Sequence, residues 1–160
     1  MRKSHSVAGV VLVLFSLSGC NSDSPRISYL CDEPLEPYSQ RAKEHISNDY
    51  EVERNRNVLE RCPEKGFHRR YRFSFDRAAL VTRQSASALV EAQWCSDDDT
   101  RHVKAELESS ASLLVFQFQY PWSTATGKYP RTEFRLDRQT LKGGFFDDLN
   151  WDCALDNESN

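Results

Sequence analysis

From Tyr71 to Leu155 apolar residues recur at every second position, and a chain patterned in this way folds as a sheet with one covered face. Tyr71, Phe73 and Phe75 alternate with Arg72 and Ser74, and Val90, Ala92 and Trp94 with Glu91 and Gln93. Val103, Ala105 and Leu107 alternate with Lys104 and Glu106, while Leu114, Phe116, Phe118 and Tyr120 stand opposite Gln117 and Gln119. Phe134 and Leu136 continue the pattern, and Leu149, Trp151, Cys153 and Leu155 end it. Turn-forming residues separate these runs: Asp97-Asp98-Asp99, the loop from Pro121 to Pro130, and Gly143-Gly144. Successive strands with short polar connections predict antiparallel pairing.

Ahead of the strands, Leu35 to Cys62 reads as helical. Tyr38, Ala42 and Ile46 fall at i, i+4 and i+8, a narrow apolar stripe behind Pro34 and Pro37. Asn48-Asp49 interrupts it, and Val58, Leu59 and Cys62 suggest another turn before Pro63 and Gly66. The mixed-charge run from Glu51 to Asn57 reads as a solvated face. A helical segment followed by a run of strands is α+β. The expected fold is therefore an N-terminal helical segment followed by an antiparallel β-meander or small barrel of about six strands.

The first residues have the layout of a secretory signal: a basic head containing Arg2 and Lys3, an apolar run from Val7 to Leu17, then small residues. The run is too short for a spanning helix, which needs about 17–25 mainly apolar residues. Its end, Leu17-Ser18-Gly19-Cys20, resembles the lipobox of bacterial lipoproteins. That resemblance covers residues 1–20 and implies cleavage between Gly19 and Cys20. It also implies a diacylglycerol thioether on Cys20 and a fatty acid such as palmitate on the freed amine. Two or more chains hold a protein durably on a membrane where one does not. Asn21, in place of the aspartate that commonly retains such proteins at the inner membrane, implies an outer-membrane lipoprotein facing the periplasm if the host is Gram-negative. The expected divisions are a signal peptide at 1–19, a lipidated tether at 20–28, a single globular domain at 29–156 and a polar tail at 157–160.

Five cysteines are an odd number. With Cys20 taken by lipid, Cys31, Cys62, Cys95 and Cys153 remain as disulfide candidates in an oxidising compartment. Four cysteines allow three connectivities, and sequence does not choose among them. Proximity along the chain and between apparent strands favours Cys31–Cys62 with Cys95–Cys153. No two cysteines have the short spacing of zinc sites, so neither metal nor cofactor is implied. Cleavage removes two basic residues and moves the formal charge from −3 to −5. That argues against a nucleic-acid partner, which would require a dense basic surface.

Candidate chemistry is sparse. Asp97-Asp98-Asp99 with His102 is the best cluster for a cation or for acid–base work, yet consecutive carboxylates in a turn diverge and a polar hairpin tip is the simpler expectation. His45 and His68 belong to no nucleophile or metal motif, and no catalytic residue is assigned. Arg70 and Arg72 share one strand face and could meet anionic headgroups or an acidic partner, with cross-strand carboxylates as the plainer alternative. Trp122 and Tyr129 sit on a Pro- and Gly-containing loop suited to recognition, unless they fold back over the core. Small periplasmic lipoproteins include lysozyme inhibitors that also combine a lipobox with a cysteine-stapled β-barrel; the likeness stops at architecture, because their Ser-Gly-rich signature has no counterpart here. The expected function is a non-enzymatic binding or accessory module, anchored in the membrane through Cys20 and engaging an envelope protein or other envelope component. Its rival is an envelope hydrolase using His102 and the acidic turn.

Overall fold

The computed structural model describes residues 25–44, 56, 59–81, 85–96, 98–122 and 127–156. The leader, Cys20 and the 157–160 tail lie outside them. Among the described residues, eight strands follow one another around a closed antiparallel barrel. They are β1 (Arg26–Asp32), β2 (Arg69–Asp76), β3 (Ala86–Trp94), β4 (Thr100–Ser109), β5 (Leu113–Gln119), β6 (Arg131–Asp137), β7 (Lys142–Phe145) and β8 (Trp151–Asp156). Each pairs with its successor, and β8 returns to β1, so no strand is left as an open edge. Helix α1 (Leu35–Glu44) and helical residues 59–65 occupy the connection from β1 to β2. The fold is thus mostly antiparallel β.

The alternation legible in the sequence is the inside–outside alternation of this barrel. Phe73, Phe116 and Phe134 are fully buried and stack at ring separations of 4.3 and 4.6 Å about Phe73. Tyr71, equally buried, is ringed by Phe73, Phe118, Trp122, Phe134, Phe145 and Trp151. Eight strands leave an interior about wide enough for side chains to fill, and here aromatic rings fill it.

Two strands differ from expectation. β1 was expected to be partly tether, but the described fold begins at Arg26, three residues before Tyr29. Its inward set Ile27, Tyr29 and Cys31 is masked in sequence by an outward Leu30 and a preceding Pro25. β7 was expected to be a break, because Gly143-Gly144 offers no side chain to read. Both glycines answer to close approach. A Cβ on Gly143 would stand 2.8 Å from Cys153 Sγ and from the Phe134 ring, and one on Gly144 would collide with the Asp148 carbonyl. The expected helix over 35–62 is present at 35–44 and 59–62, and residues 45–55, 57 and 58, with Ile46 and Val58 among them, lie outside those described.

The cysteine pairing also differs. The bridges are Cys31–Cys153 and Cys62–Cys95, with Cα separations of 4.0 and 4.9 Å, where Cys31–Cys62 and Cys95–Cys153 were favoured. The reason is register: once β1 is a strand, Cys31 faces Cys153 directly across the seam that closes the barrel. Cys62–Cys95 instead ties residues 59–65 to the end of β3, in a small cluster with Phe67, Leu35 and Tyr38.

Strand direction divides the connections between two ends. The chain enters at the lower end through Arg26, and the β2–β3, β4–β5 and β6–β7 connections return there. At that end a 3₁₀ turn (Arg77–Leu80) lies against the core through Ala79 and Leu80; Ser109 Oγ donates to the Ala79 carbonyl at 2.7 Å. The β1–β2, β3–β4, β5–β6 and β7–β8 connections gather at the upper end. Among the described residues no helix is long and apolar enough to cross a membrane.

Because the atoms a Gly143 side chain would meet are a bridged sulfur and a core ring, Gly143→Ala should cost about 1–3 kcal/mol through overpacking. Urea unfolding would measure it. A midpoint equal to wild type would mean that β7 can shift outward freely.

Candidate functional site

The upper end is sealed by charge as well as by rings. The β1–β2 ladder runs to Asp32 opposite Arg70, and one step further the backbone N–H of Glu33 donates to the Arg69 carbonyl at 2.8 Å. Alternation turns both side chains toward the barrel mouth. Arg69 grips the Glu33 carboxylate with two bonds, Nε to Oε2 at 2.5 Å and Nη2 to Oε1 at 2.8 Å. Its Nη1 donates to the Tyr120 hydroxyl at 3.1 Å, and its guanidinium lies 5.1 and 5.3 Å from the Trp151 and Phe145 ring centres. His68 Nδ1 lies 2.7 Å from Glu33 Oε2; its ring stacks on Tyr38 and meets Trp94 edge-on.

Burial alone would push the Glu33 carboxyl up. The Arg69 and His68 hydrogen bonds, with the charges behind them, outweigh that and hold it at about 2. For His68 burial wins over the pull of Glu33 and lowers its pKa. The ring is therefore neutral at pH 7, donating from Nδ1 to Glu33, while Nε2 is buried without a hydrogen-bond partner among the described residues. Burial raises the Tyr71 phenol well above its ordinary value, so the hydroxyl stays protonated. A buried pair of this kind organises the mouth.

The residues singled out from sequence are dispersed. Arg70 holds Asp32 through two bonds of 2.7 and 2.8 Å and lies 4.1 Å from the Phe67 ring centre. Arg72 meets Glu91 at 2.9 Å and Asp156 at 2.7 Å. Their charges are met by carboxylates on the outer wall, so they form no open basic patch. His102 faces Glu91 there at 3.6 Å, beside a shallow groove of about 300 Å³ that Arg70 and Arg72 also line. In the acidic turn Asp98 faces Lys65 at 3.3 Å and Asp99 faces Arg101 at 3.5 Å; Asp97 and His45 lie outside the described residues. No group of three or more metal-ligating side chains occurs among the described residues. Trp122 is turned inward, edge-on to Tyr71, Trp94 and Tyr120, whereas Tyr129 remains 49% exposed.

The turn from β7 to β8 carries Phe146, which sequence reasoning passed over, and Leu149, which it placed on the covered face of the last strand although β8 begins only at Trp151. Phe145 enters the barrel, and Phe146 stands outside it, 61% exposed and at φ 58°. A bulky side chain in the left-handed region is strained, and such strain collects at working positions. Three contacts hold it there: the Phe146 N–H donates to the Glu133 carbonyl at 3.1 Å, Asp148 N–H to the Phe145 carbonyl at 3.3 Å, and the turn folds tightly over Gly144. Arg135 bridges Glu133 and Asp147 alongside. Leu149 adds a second exposed apolar residue. The available signal was the Phe-Phe doublet, since alternation cannot bury two neighbours. Compared with protein-family models, with curated proteins and with solved structures, the chain matches none.

The two buried titrations share a sign. Glu33, depressed from 4.5 to about 2, contributes stability present above pH 4.5 and lost as pH falls toward 2. His68 resists protonation that the unfolded chain accepts near 6.5, so stability also declines as pH falls below that value. Wild type should therefore weaken progressively on acidification from pH 7. Glu33→Gln should flatten the portion below pH 4.5, which is worth about 3 kcal/mol at 1.4 kcal/mol per pKa unit. Thermal unfolding across this range tests it. An unchanged acid limb in Glu33→Gln would place the titration elsewhere.

Proposed function

We propose that this protein is an envelope lipoprotein, anchored through lipid on Cys20 and facing the periplasm at the outer membrane of a Gram-negative host. It acts as a non-enzymatic binding or accessory module whose contact surface is the upper rim of the barrel. The observation that carries the choice of surface is Phe146, a large apolar side chain held outward in strained backbone. Tyr129 and Leu149 accompany it on connections at the same end. The anchor would join at the lower end, through Arg26, leaving the upper rim free to reach a partner.

Exposed aromatic residues on rigid turns provide the anchors that dominate binding energy, with low entropic cost on docking. Because the barrel interior is filled by rings, a ligand meets this protein on its rims or outer wall. Trp122 supports that rim from beneath, and Arg70 and Arg72, already paired, contribute to the wall and not to recognition.

A photoreactive amino acid at position 146, compared with one at Leu89 on the outer wall, tests this in intact cells. A discrete adduct to one envelope component from position 146 and not from 89 is expected. The same background from both positions would refute the upper rim as the contact surface. Mass spectrometry of the mature N-terminal peptide tests the anchor: lipid on Cys20 is expected, and a chain processed without it would contradict the assignment.

A further inference from the structure

We infer that the barrel stands end-on against the lipid surface that carries its anchor, with Val81 entering the headgroup layer and Arg26 and Arg77 taking lipid phosphates. This rests on the lipid-anchor reading above and adds an orientation and a second, non-covalent membrane contact.

Six residue steps separate Cys20 from Arg26, and an extended chain spans at most about 3.3–3.6 Å per residue, so the lower end stays within about 20 Å of the anchored cysteine. The surface nearest that tether has the composition such a neighbour would suit. The Pro25 carbonyl accepts the Arg77 N–H at 3.0 Å, which sets Arg77 beside the point where the chain joins the barrel, next to Arg26. Both arginines are exposed, and the ion pairs among the described residues engage neither. Asp76, opposite Arg26 in the ladder, directs its carboxylate to the Ala78 N–H at 2.8 Å. Forked guanidinium groups suit phosphate oxygens.

The apolar component comes from the 3₁₀ turn. Ala79 is buried and Leu80 packs on the core, while Val81 behind them is 84% exposed. Leu155, also at the lower end, is 52% exposed. The opposite end carries the exposed carboxylates Asp98, Asp99, Asp147 and Asp148, the first three already facing Lys65, Arg101 and Arg135. Glu108 and Asp137 also lie toward the lower end, so the attraction is local to the tether mouth and does not belong to the whole rim. The upper rim is then presented away from the membrane in a fixed direction, and no free swivelling on the tether is needed.

The test uses the full lipidated protein in vesicles of phosphatidylethanolamine and phosphatidylglycerol containing brominated lipid, with a fluorescent amino acid at position 81 or 146. Quenching at 81 should exceed that at 146 by about twofold or more, and R26Q with R77Q should reduce it in phosphatidylglycerol vesicles, where basic residues near the surface contribute most. Equal quenching at the two positions, or none at either on vesicle-bound protein, would overturn the orientation while leaving the anchor intact. Protein that neither carries lipid on Cys20 nor floats with vesicles would overturn both, and the two failures are told apart by the mass of the N-terminal peptide.

Discussion

The upper end of the barrel depends on a carboxylate and a guanidinium that meet one step beyond the β1–β2 ladder. Glu33 and Arg69 are largely out of water, and removing each charge from solvent costs several kcal/mol before any attraction is counted. What offsets that cost is geometry: two parallel hydrogen bonds, a third from Arg69 to Tyr120, and His68 on the remaining side of the carboxylate. The pair fixes where β1 stops and where β2 starts. It thereby sets the path of the intervening connection, which the Cys62–Cys95 bridge holds a second time at β3. With Arg69 in place, Phe145 and Trp151 have a charged lid over their rings, and Tyr120 is oriented at the base of the aromatic loop.

A mouth closed in this way places limits on function. The rings around Tyr71 occupy the interior, and the ion pair with its His68 and Tyr38 layer covers one opening. The opposite opening is met by the 3₁₀ turn. The proposed binding role therefore falls on the rims, where the two ends differ. The upper one carries Phe146, Leu149 and Tyr129 among exposed carboxylates, and the lower one carries Val81 with Arg26 and Arg77 where the described chain begins. Strand direction alone keeps these two surfaces apart.

Much of the barrel was legible in the sequence, because most inward positions on β2 to β6 and β8 are apolar and most outward ones polar, Leu89, Val115 and Ala154 being outward exceptions. β7 was not legible: its two glycines are required by Phe134, Cys153 and the Asp148 backbone, contacts that exist only in the folded barrel. β1 failed for a different reason, an outward Leu30 that blurs the period. That single omission also misdirected the disulfides, since Cys31 could not be set against Cys153 without a strand to carry it. The site was less legible still. Arg69 shares the inward parity of Tyr71 and Phe73, and Glu33 that of Cys31, yet only the register brings the two charges together. Trp122 and Tyr129 look equivalent in sequence and part company in space, one packed on Tyr71 and the other in solvent.

A double-mutant cycle at the upper mouth measures the central dependence most directly. Glu33→Gln, Arg69→Met and the combined variant would be compared with wild type by denaturant unfolding at pH 7. Each single change is predicted to cost about 3–5 kcal/mol, because it leaves the other charge buried and unpaired, and the double variant to cost clearly less than their sum. Additive losses of about 1 kcal/mol or less from each residue would contradict the account, and would assign the closure of the upper end to the aromatic rings and the Cys62–Cys95 bridge alone.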